Sequence, residues 1–227
     1  MERKKLNIAI VADGTYPTAA YPLGMLGSAD IIICCDASVL KLKGLAPNYI
    51  VGDMDTLDSQ SQQLYKDIIH KSSCQQTNDQ TKAFSFALGL IPEGTPAEIH
   101  IYGATGKRED HTLGNISLLL EYVKNCGKPQ EPFGHIMQEG TTVDIITDHG
   151  IFTPHSAAFE HNTFAGQQIS IFSLDSSVRI KSEGLLYPLN DVVFDFWWKA
   201  SLNEAVGSKI KLEPDHPAPI LLFCAYK

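Results

Sequence analysis

The 227-residue chain has a formal net charge of -8, with 44% apolar and 19% charged residues. This composition is typical of a folded globular protein and excludes a disordered or fibrous one. The acidic balance argues against nucleic-acid binding, because phosphate backbones need a surplus of Lys and Arg on some face. An anionic small-molecule ligand would therefore need a bridging cation.

The cysteines and the first residues indicate where the protein works. The five cysteines show no zinc-type spacing, so we expect reduced thiols in a core. The opening MERKKLNIAIVADG holds too few apolar residues for a signal peptide, and no run approaches the length of a membrane span. We therefore expect a cytoplasmic protein without a membrane partner.

From residue 6 to about 126, strand-like apolar runs alternate with amphipathic helical patterns. This alternation predicts an α/β fold with a Rossmann-like parallel sheet flanked by helices. The predicted strands are 6–12, 29–35, 48–52 and 97–103, and the predicted helices are 59–71, 79–91 and 110–126. Ligands of such sheets gather at the carboxyl ends of the strands. Because Asp13, Asp36, Asp53 and Gly103 each follow a strand directly, their loops are expected to share one cleft.

The pattern changes after residue 127. The stretch 127–134 is rich in Pro and Gly and is typical of a linker or an exposed turn. Short apolar runs separated by turn residues then indicate a smaller all-β, sandwich-like domain, with runs at 142–147, 167–174, 177–184 and 219–226. We predict two domains, 1–138 and 139–227.

The segment GDMDTLD, at 52–58, crowds three aspartates behind a strand. Asp53 and Asp55 are two residues apart, so an extended backbone points both carboxylates to the same side. Without a cation they would repel each other. Mg²⁺ takes hard oxygen ligands, including one or two protein carboxylates, and leaves its other positions to water and phosphates. The pattern predicts a magnesium site at Asp53 and Asp55, whereas Asp58 is expected to cap the next helix.

The segment QQTNDQTKAF places Asp79 at the start of a helical run. Its charge could simply favour the helix dipole. Lys82 lies one turn later on the same face and could either pair with Asp79 or reach a phosphate. The sequence leaves these roles open.

The segment YGATGKREDHTLGN is a candidate phosphate loop. Gly103 and Gly106 allow a tight turn and a close approach to a ligand. Lys107 and Arg108 supply the positive charge that phosphates attract. Asp110 follows at a probable helix start, and a carboxylate beside bound anions implies a metal or a cationic substrate group.

Glycines in two segments allow further interpretations. A dinucleotide-binding fingerprint is rejected for the loop at 103–109, because Glu109 takes its third glycine position and the loop does not follow the first strand. Gly14, in the segment ADGT, suits either a ligand-binding turn or an ordinary exit from a strand.

Taken in order, ADGT, CCDAS, GDMDTLD, TNDQTKA and GKREDHTLGNISLL resemble the thiamin pyrophosphokinase (thiamin diphosphokinase) family. GLLYPL at 184–189 and SLNE at 201–204 resemble segments of that family's second domain. The resemblance implies Mg²⁺-dependent transfer of the intact diphosphate of ATP to the hydroxyl of thiamin, giving thiamin diphosphate and AMP. It also implies a homodimer, with active sites formed by the nucleotide-binding first domain of one subunit and the thiamin-binding β domain of the other.

The resemblance also assigns roles to individual residues. The catalytic residues it implies are Asp53, Asp55, Asp79 and Asp110, of which Asp53, Asp55 and Asp79 are the expected metal ligands. Contacts to ATP or its phosphates are expected from Asp13, Gly14, Asp36, Lys82, Gly103, Thr105, Gly106 and Arg108. Contacts to thiamin are expected from Gln75, Asp110, Ser201, Asn203 and Phe223.

The chain departs from the family pattern at three places. Family members commonly read D-x-T-D where this chain has QTND at 76–79, so one acid and one hydroxyl are missing. Leu202 interrupts the family's S-N-E segment. Phe223 stands where some relatives carry a tryptophan that stacks on thiamin, although Trp197 and Trp198 could cover the thiazolium by cation–π contact or belong to the β-domain core.

Two other functions are compatible with these residues. One is a diphosphokinase that acts on another primary alcohol, such as a hydroxymethylpterin. The other is a thiamin- or nucleotide-binding regulator without catalysis, which the missing acid near Gln76 makes conceivable. Product analysis separates them, because only the enzymes release AMP.

Overall fold

The computed structural model describes residues 5–124 and 139–227, and the chain divides into two compact units. The first unit contains the described residues of Met1–Leu118 and Asn125–Asp148. The second contains Leu119–Lys124 and His149–Lys227. Within the described residues, no helix combines the length and the apolar character needed to cross a bilayer.

The first unit is built on a parallel sheet with helices in the connections. Its strands are β1 (Leu6–Val11), β2 (Ile31–Cys35), β3 (Tyr49–Gly52), β4 (Ile69–Lys71), β5 (Ala97–Tyr102) and β6 (Thr142–Ile146). They follow the order β6-β5-β1-β2-β3-β4, and each neighbouring pair is parallel. The helices are α1 (Ala20–Gly27), a short 3-10 helix (Asp36–Lys41), α2 (Ser59–Leu64), α3 (Asp79–Leu90) and the first part of α4 (Glu109–Lys124), which ends in the second unit.

Burial explains why the central strands read as continuous apolar runs. The residues from Ile8 to Val11 in β1 are at most 1% exposed, as expected for a strand of a parallel sheet covered on both faces. α3 packs on this sheet through buried side chains that include Phe84 and Leu88. Its N-terminus is capped by Asn78, whose side chain accepts a hydrogen bond from the backbone N–H of Thr81.

The predicted helix over 59–71 is shorter in the structure. Asp58 caps α2 as predicted, because its side chain accepts from the backbone N–H of Ser61. The helix ends after Leu64, and Ile69–Lys71 instead forms the edge strand β4 beside β3. No residue of α2 is buried, so packing does not support further turns, and the Ile-containing segment pairs with the sheet.

The second unit is an antiparallel β sandwich. Its strands are β7 (Gly150–His155), β8 (Phe159–Asn162), β9 (Gln168–Ser173), β10 (Ile180–Glu183), β11 (Ala200–Glu204), β12 (Lys209–Pro214) and β13 (Ile220–Ala225). One sheet has the order β11-β9-β13-β7, and the other has the order β10-β12-β8. Inward-facing residues of both sheets, such as Ile171 and Leu222 from one and Ile180 and Leu212 from the other, share one apolar cluster. The predicted fold class is confirmed.

One predicted strand lies in a different unit than expected. The run at 142–147 was assigned to the all-β domain, but β6 pairs in parallel with β5 and belongs to the first unit. Val143, Ile145 and Ile146 are buried. An alternating apolar run reads alike in either kind of sheet, so local pattern did not reveal its partner.

Candidate active site

The loops after β1, β2, β3 and β5 meet the N-terminal ends of α3 and α4 around a cleft of about 410 Å³. This is the carboxyl edge of a parallel sheet, where such folds bind ligands. The lining includes ten of the residues singled out from the sequence, namely Asp13, Gly14, Asp36, Asp53, Gln75, Asp79, Lys82, Thr105, Lys107 and Arg108. Ser201, Asn203 and Phe223 belong to the second unit.

Two loops of the cleft are joined through their backbones. The N–H of Gly14 donates to the carbonyl oxygen of Gly103 at 2.7 Å, and Thr15 Oγ1 donates to the carbonyl of Gly106 at 2.9 Å. A Cβ atom at Gly14 would overlap the carbonyl oxygens of Gly103 and Thr105. Gly103 and Gly106 have φ angles of 65° and 88°, in the left-handed region that favours glycine. The glycines of both segments are therefore required by this close approach.

Three carboxylates converge at the ends of β2 and β3. Asp36, Asp53 and Asp55 each offer an oxygen such that these atoms all lie within 4.8 Å of one another. Met54, between the two acids of GDMD, has a φ of 66°. The two carboxylates thus meet through a left-handed turn rather than through the extended backbone expected from the sequence.

Asp36 is the most unusual member of this cluster. It is 2% exposed, and within residues 5–124 and 139–227 neither carboxylate oxygen has a partner in hydrogen-bonding geometry. Its backbone lies in the left-handed region, with a φ of 46°. Burial raises the pKa of Asp36. The nearby hydroxyl and N–H of Thr56 favour the charged carboxylate and oppose this shift, whereas the negative charges of Asp79 and Asp53 add to it. A buried, unpartnered carboxylate on a strained backbone is a strong candidate for a cation ligand.

Asp79 pairs with a lysine instead of joining the three carboxylates. Lys82 Nζ lies 2.8 Å from Asp79 Oδ1 and 3.4 Å from Asp53 Oδ2. Burial alone would lower the pKa of Lys82, but the hydrogen bond to Asp79 and the charges of Asp79 and Asp53 raise it. Among the described residues, the carboxylate that completes the cluster with Asp53 and Asp55 is Asp36, which sequence reasoning had placed with the phosphate contacts.

The other cations in or beside the cleft are also paired with acids. Lys107 Nζ lies 2.7 Å from Asp13 Oδ2, and Lys41 Nζ lies 2.5 Å from Asp13 Oδ1. Arg108 donates two hydrogen bonds to Asp110, from Nε to Oδ1 at 3.1 Å and from Nη2 to Oδ2 at 2.6 Å. This bond to Arg108 lowers the pKa of Asp110. Each of these cations is therefore paired with a carboxylate in the structure.

Sequence reasoning missed two residues around the cleft. Lys41 donates to the carbonyl oxygens of Asp13 and Gly14 at 2.6 and 2.8 Å and so supports the loop after β1. Asn115 lines the cleft and hydrogen-bonds to Ala104 and Asn78. The sequence around Asn115 did not indicate these bonds, because its partners are 11 and 37 residues away.

In the second unit, the residues predicted to contact thiamin have different environments. Asn203 is buried and bonded to backbone atoms of Tyr187, and Phe223 packs on Phe152 with ring centroids 4.6 Å apart. Ser201 is half-buried, and its N–H donates to the carbonyl of Trp198. Trp197 is 42% exposed and Trp198 is 52% exposed, so neither belongs to the core.

The departure at Leu202 has a structural explanation. Ala200 pairs with Ile171 and Asn203 with Ile169, so the strand carries one extra residue between these pairs. Leu202 is 87% exposed, with a φ of 58°. It is accommodated as a β-bulge, which leaves Asn203 pointing into the unit.

Comparisons with known proteins agree with these features. A family model described as "Thiamin pyrophosphokinase, catalytic domain" matches residues 24–128, and one described as "Thiamin pyrophosphokinase, substrate-binding domain" matches residues 150–220. A rice protein named Thiamine pyrophosphokinase 1 (Oryza sativa subsp. japonica) is 33% identical over 82 residues. That match spans 34% of this chain and 31% of the rice protein.

Solved structures of similar fold cover almost the whole chain. Thiamin pyrophosphokinase from Candida albicans has a TM-score of 0.76 at 16% identity, covering 98% of this chain and 90% of its own. Thiamine pyrophosphokinase from Bacillus subtilis has a TM-score of 0.72 at 21% identity, covering 96% and 98%. At such identities the likeness shows the fold alone, whereas the two family models together span most of the sequence. The chain belongs to the thiamin pyrophosphokinase (thiamin diphosphokinase) family of enzymes.

Proposed function

We propose that this chain transfers the diphosphate of ATP to the hydroxyl of thiamin in a Mg²⁺-dependent reaction that yields thiamin diphosphate and AMP. The observation that carries the proposal is the buried, unpartnered Asp36 carboxylate beside Asp53 and Asp55, in a cleft that also presents Lys82 and Arg108. Clustered acids facing cations in one cleft suit a metal-bound polyphosphate.

The three clustered carboxylates fit a magnesium ion. Their oxygens are hard ligands, and no donor of the described residues meets the Asp36 oxygens in hydrogen-bonding geometry, which leaves them available for coordination. Asp36, Asp53 and Asp55 would hold the ion, and Asp79 would serve as a further or water-mediated ligand once Lys82 turns to a phosphate. When bound, the ion would neutralise charge on the phosphate oxygens.

The chain's own cations would bind the rest of the polyphosphate. Lys82, Lys107 and Arg108 are each held by an acid in the structure. Exchange of these acids for phosphate oxygens would release Asp110 to orient the thiamin hydroxyl or the pyrimidine end. Gly14 and Gly103 would let the backbone approach the nucleotide, with Asp13 and Thr105 beside it. We assign no general base, because phosphoryl transfer can rely mainly on positioning and electrostatics.

We also propose a division of labour between the two units. The first would bind the nucleotide, and Gln75 at its cleft would contact thiamin. The second would supply Ser201, Asn203 and Phe223 to thiamin. A homodimer would combine the two, and the exposed aromatic side chains of the second unit, Tyr187, Phe196, Trp197 and Trp198, support an interaction role for that unit. A cytoplasmic location accords with the free cysteines of the described residues.

Product analysis tests the proposal. The protein is incubated with thiamin, ATP and Mg²⁺, and the products are identified by mass spectrometry, with a hydroxymethylpterin offered in a parallel reaction. Thiamin diphosphate and AMP in equal amounts are expected, and both should disappear with EDTA. Formation of the pterin diphosphate alone, or ligand binding without AMP, would overturn the proposal.

A matched pair of variants connects the activity to the proposed metal site. Asp55→Asn removes one clustered carboxylate, while Asp67→Asn removes an exposed carboxylate outside the cleft. Loss of AMP formation in the first and full activity in the second are expected. Full Mg²⁺-dependent activity of Asp55→Asn would contradict the metal assignment.

A further inference from the structure

We propose that Asn115 is a positioning residue that clamps together the segments on which the phosphate-binding side chains are mounted. The proposal rests on the diphosphate transfer proposed above and adds a residue to it. Asn115 lies in α4 and lines the cleft. It is not assigned to substrate or metal, because it acts through the segments that it holds.

Both ends of the Asn115 amide are used, and each end binds a different segment. Nδ2 donates to the carbonyl oxygen of Ala104 at 2.8 Å. Oδ1 accepts from Asn78 Nδ2 at 2.9 Å. The backbone carbonyl of Asn115 accepts a third bond, from Gln80 Nε2 at 3.0 Å. One residue of α4 is thus bonded to the loop after β5 and, twice, to the start of α3.

Asn78 continues this chain of bonds into α3. Its Oδ1 accepts from both the N–H and Oγ1 of Thr81, at 2.9 and 2.8 Å, while its Nδ2 is given to Asn115. The same amide therefore caps α3 and joins it to α4. Asp79 is the next residue, and Lys82 follows one turn later on the same helix, so the clamp sets where their charges lie.

The other end of the clamp fixes the candidate phosphate loop. Ala104 directly precedes Thr105, and Lys107 and Arg108 follow within the same loop. The side chains of Thr105, Lys107 and Arg108 line the cleft together with Lys82 on α3. Because transfer between two bound substrates depends on accurate placement of the charged groups, loosening one amide should reduce turnover without removing any charge.

The test is a double-mutant cycle in the full chain, with Asn115→Ala, Asn78→Ser and both together. Serine keeps a side-chain acceptor for the α3 cap but lacks the amide donor. Asn48→Ala is the matched control, because Asn48 Oδ1 accepts from the backbone N–H of Ile32 in the same unit and Asn48 does not line the cleft. The rate of AMP formation and the thermal midpoint are measured for each variant.

We expect each clamp variant to lose about tenfold in kcat with smaller changes in KM, and the double variant to lose no more than Asn115→Ala. The control should lose thermal stability but keep kcat. Multiplicative losses in the double variant, or an equal loss of kcat in Asn48→Ala, would overturn the clamp. If Asn115→Ala does not fold, the comparison of Asn78→Ser with Asn48→Ala decides in the same way.

A second readout separates the clamp from the proposed reaction. Amide hydrogen exchange of the unliganded protein should become faster at 78–82 and at 104–108 in Asn115→Ala, but not in Asn48→Ala. Unchanged exchange at both segments would refute the clamp even if the wild type makes thiamin diphosphate. An inactive wild type with faster exchange in the variant would instead refute the reaction and leave the clamp standing.

Discussion

Two buried polar side chains, one in each unit, have opposite surroundings. Asn203, in the sandwich, is 4% exposed, and its amide bonds to the N–H and the carbonyl of Tyr187 and to the N–H of Glu204. Asp36, in the parallel-sheet unit, is 2% exposed, and among the described residues neither of its carboxylate oxygens has a donor in hydrogen-bonding geometry. A satisfied buried amide stabilises a fold, whereas an unsatisfied buried carboxylate costs stability. The Asn203 amide already has partners within its unit, whereas we propose that the Asp36 carboxylate gains its partner when a cation binds.

The largest expected effect is at Asp36. Asp36→Asn should lower kcat/KM for AMP formation by about 100-fold or more, because a charged metal ligand is replaced by a neutral amide. The free energy of unfolding should be no lower than that of the wild type, since a buried charge without a partner is removed. Activity and urea denaturation are measured on the same preparation. If Asp36→Asn unfolds more easily yet keeps its activity, Asp36 serves the fold and not the reaction.

The complementary change is Asn203→Ala. It leaves the backbone groups of Tyr187 and Glu204 without their partner, which should lower the free energy of unfolding by about 2 kcal/mol. Urea denaturation measures this, with Asn162→Ala as the control, because Asn162 is an exposed asparagine of the same unit. An Asn203→Ala protein as stable as the control would show that the amide does not hold the segment at 185–187.

The sequence predicted the parts of the site that depend on local pattern. Apolar runs ending in acids placed Asp13, Asp36 and Asp53 at one edge of a parallel sheet, and the structure has them lining one cleft. The helix cap at Asp58 could also be predicted, since it depends on residues only three apart in sequence. Long-range pairing was not readable in the same way. Nothing near Asp36 in sequence indicated that its carboxylate would join those of Asp53 and Asp55.

The bonds of Asn115 and the partner of β6 were hidden for the same reason. The atoms that Asn115 holds are 11 and 37 residues away, and β6 pairs in parallel with β5, from which α4 separates it in the chain. The bulge at Leu202 is the converse case. A one-residue insertion looked like a broken motif, but the backbone absorbs it and keeps Asn203 inside.

A smaller effect is expected where the cleft depends on backbone contact. Gly14→Ala places a Cβ against the carbonyl oxygens of Gly103 and Thr105, so the free energy of unfolding should fall by about 1 to 2 kcal/mol. Gly24→Ala is the control, because a Cβ there meets no atom within 4 Å and α1 should gain about 0.5 to 1 kcal/mol. Equal thermal midpoints for the two variants would contradict the close packing of the loops after β1 and β5.

The smallest effect concerns charges of the sandwich that are already satisfied. His216 lies 3.1 Å from Asp175 and 2.8 Å from Asp215, and these contacts raise its pKa above 6.5. Since the pKa is raised in the folded state, this stabilisation is complete below pH 6.5 and is lost as the pH rises through the folded-state pKa. The thermal midpoint of the wild type, relative to His216→Gln, should therefore decrease between pH 6 and about pH 8. If the difference in thermal midpoint between the wild type and His216→Gln stays constant across this pH range, the ion pairs of His216 do not contribute to stability.

We propose that Asp36, Asp53 and Asp55 hold a divalent cation that in turn binds a polyphosphate. The proposal is tested by titration calorimetry of Mg²⁺ into the protein saturated with a nonhydrolysable ATP analogue, with the Mg²⁺ titration of the analogue alone subtracted, for the wild type, Asp53→Asn and Asp67→Asn. We expect Mg²⁺ binding beyond that of the analogue in the wild type and in Asp67→Asn, and its loss in Asp53→Asn. Undiminished Mg²⁺ binding by Asp53→Asn would contradict it.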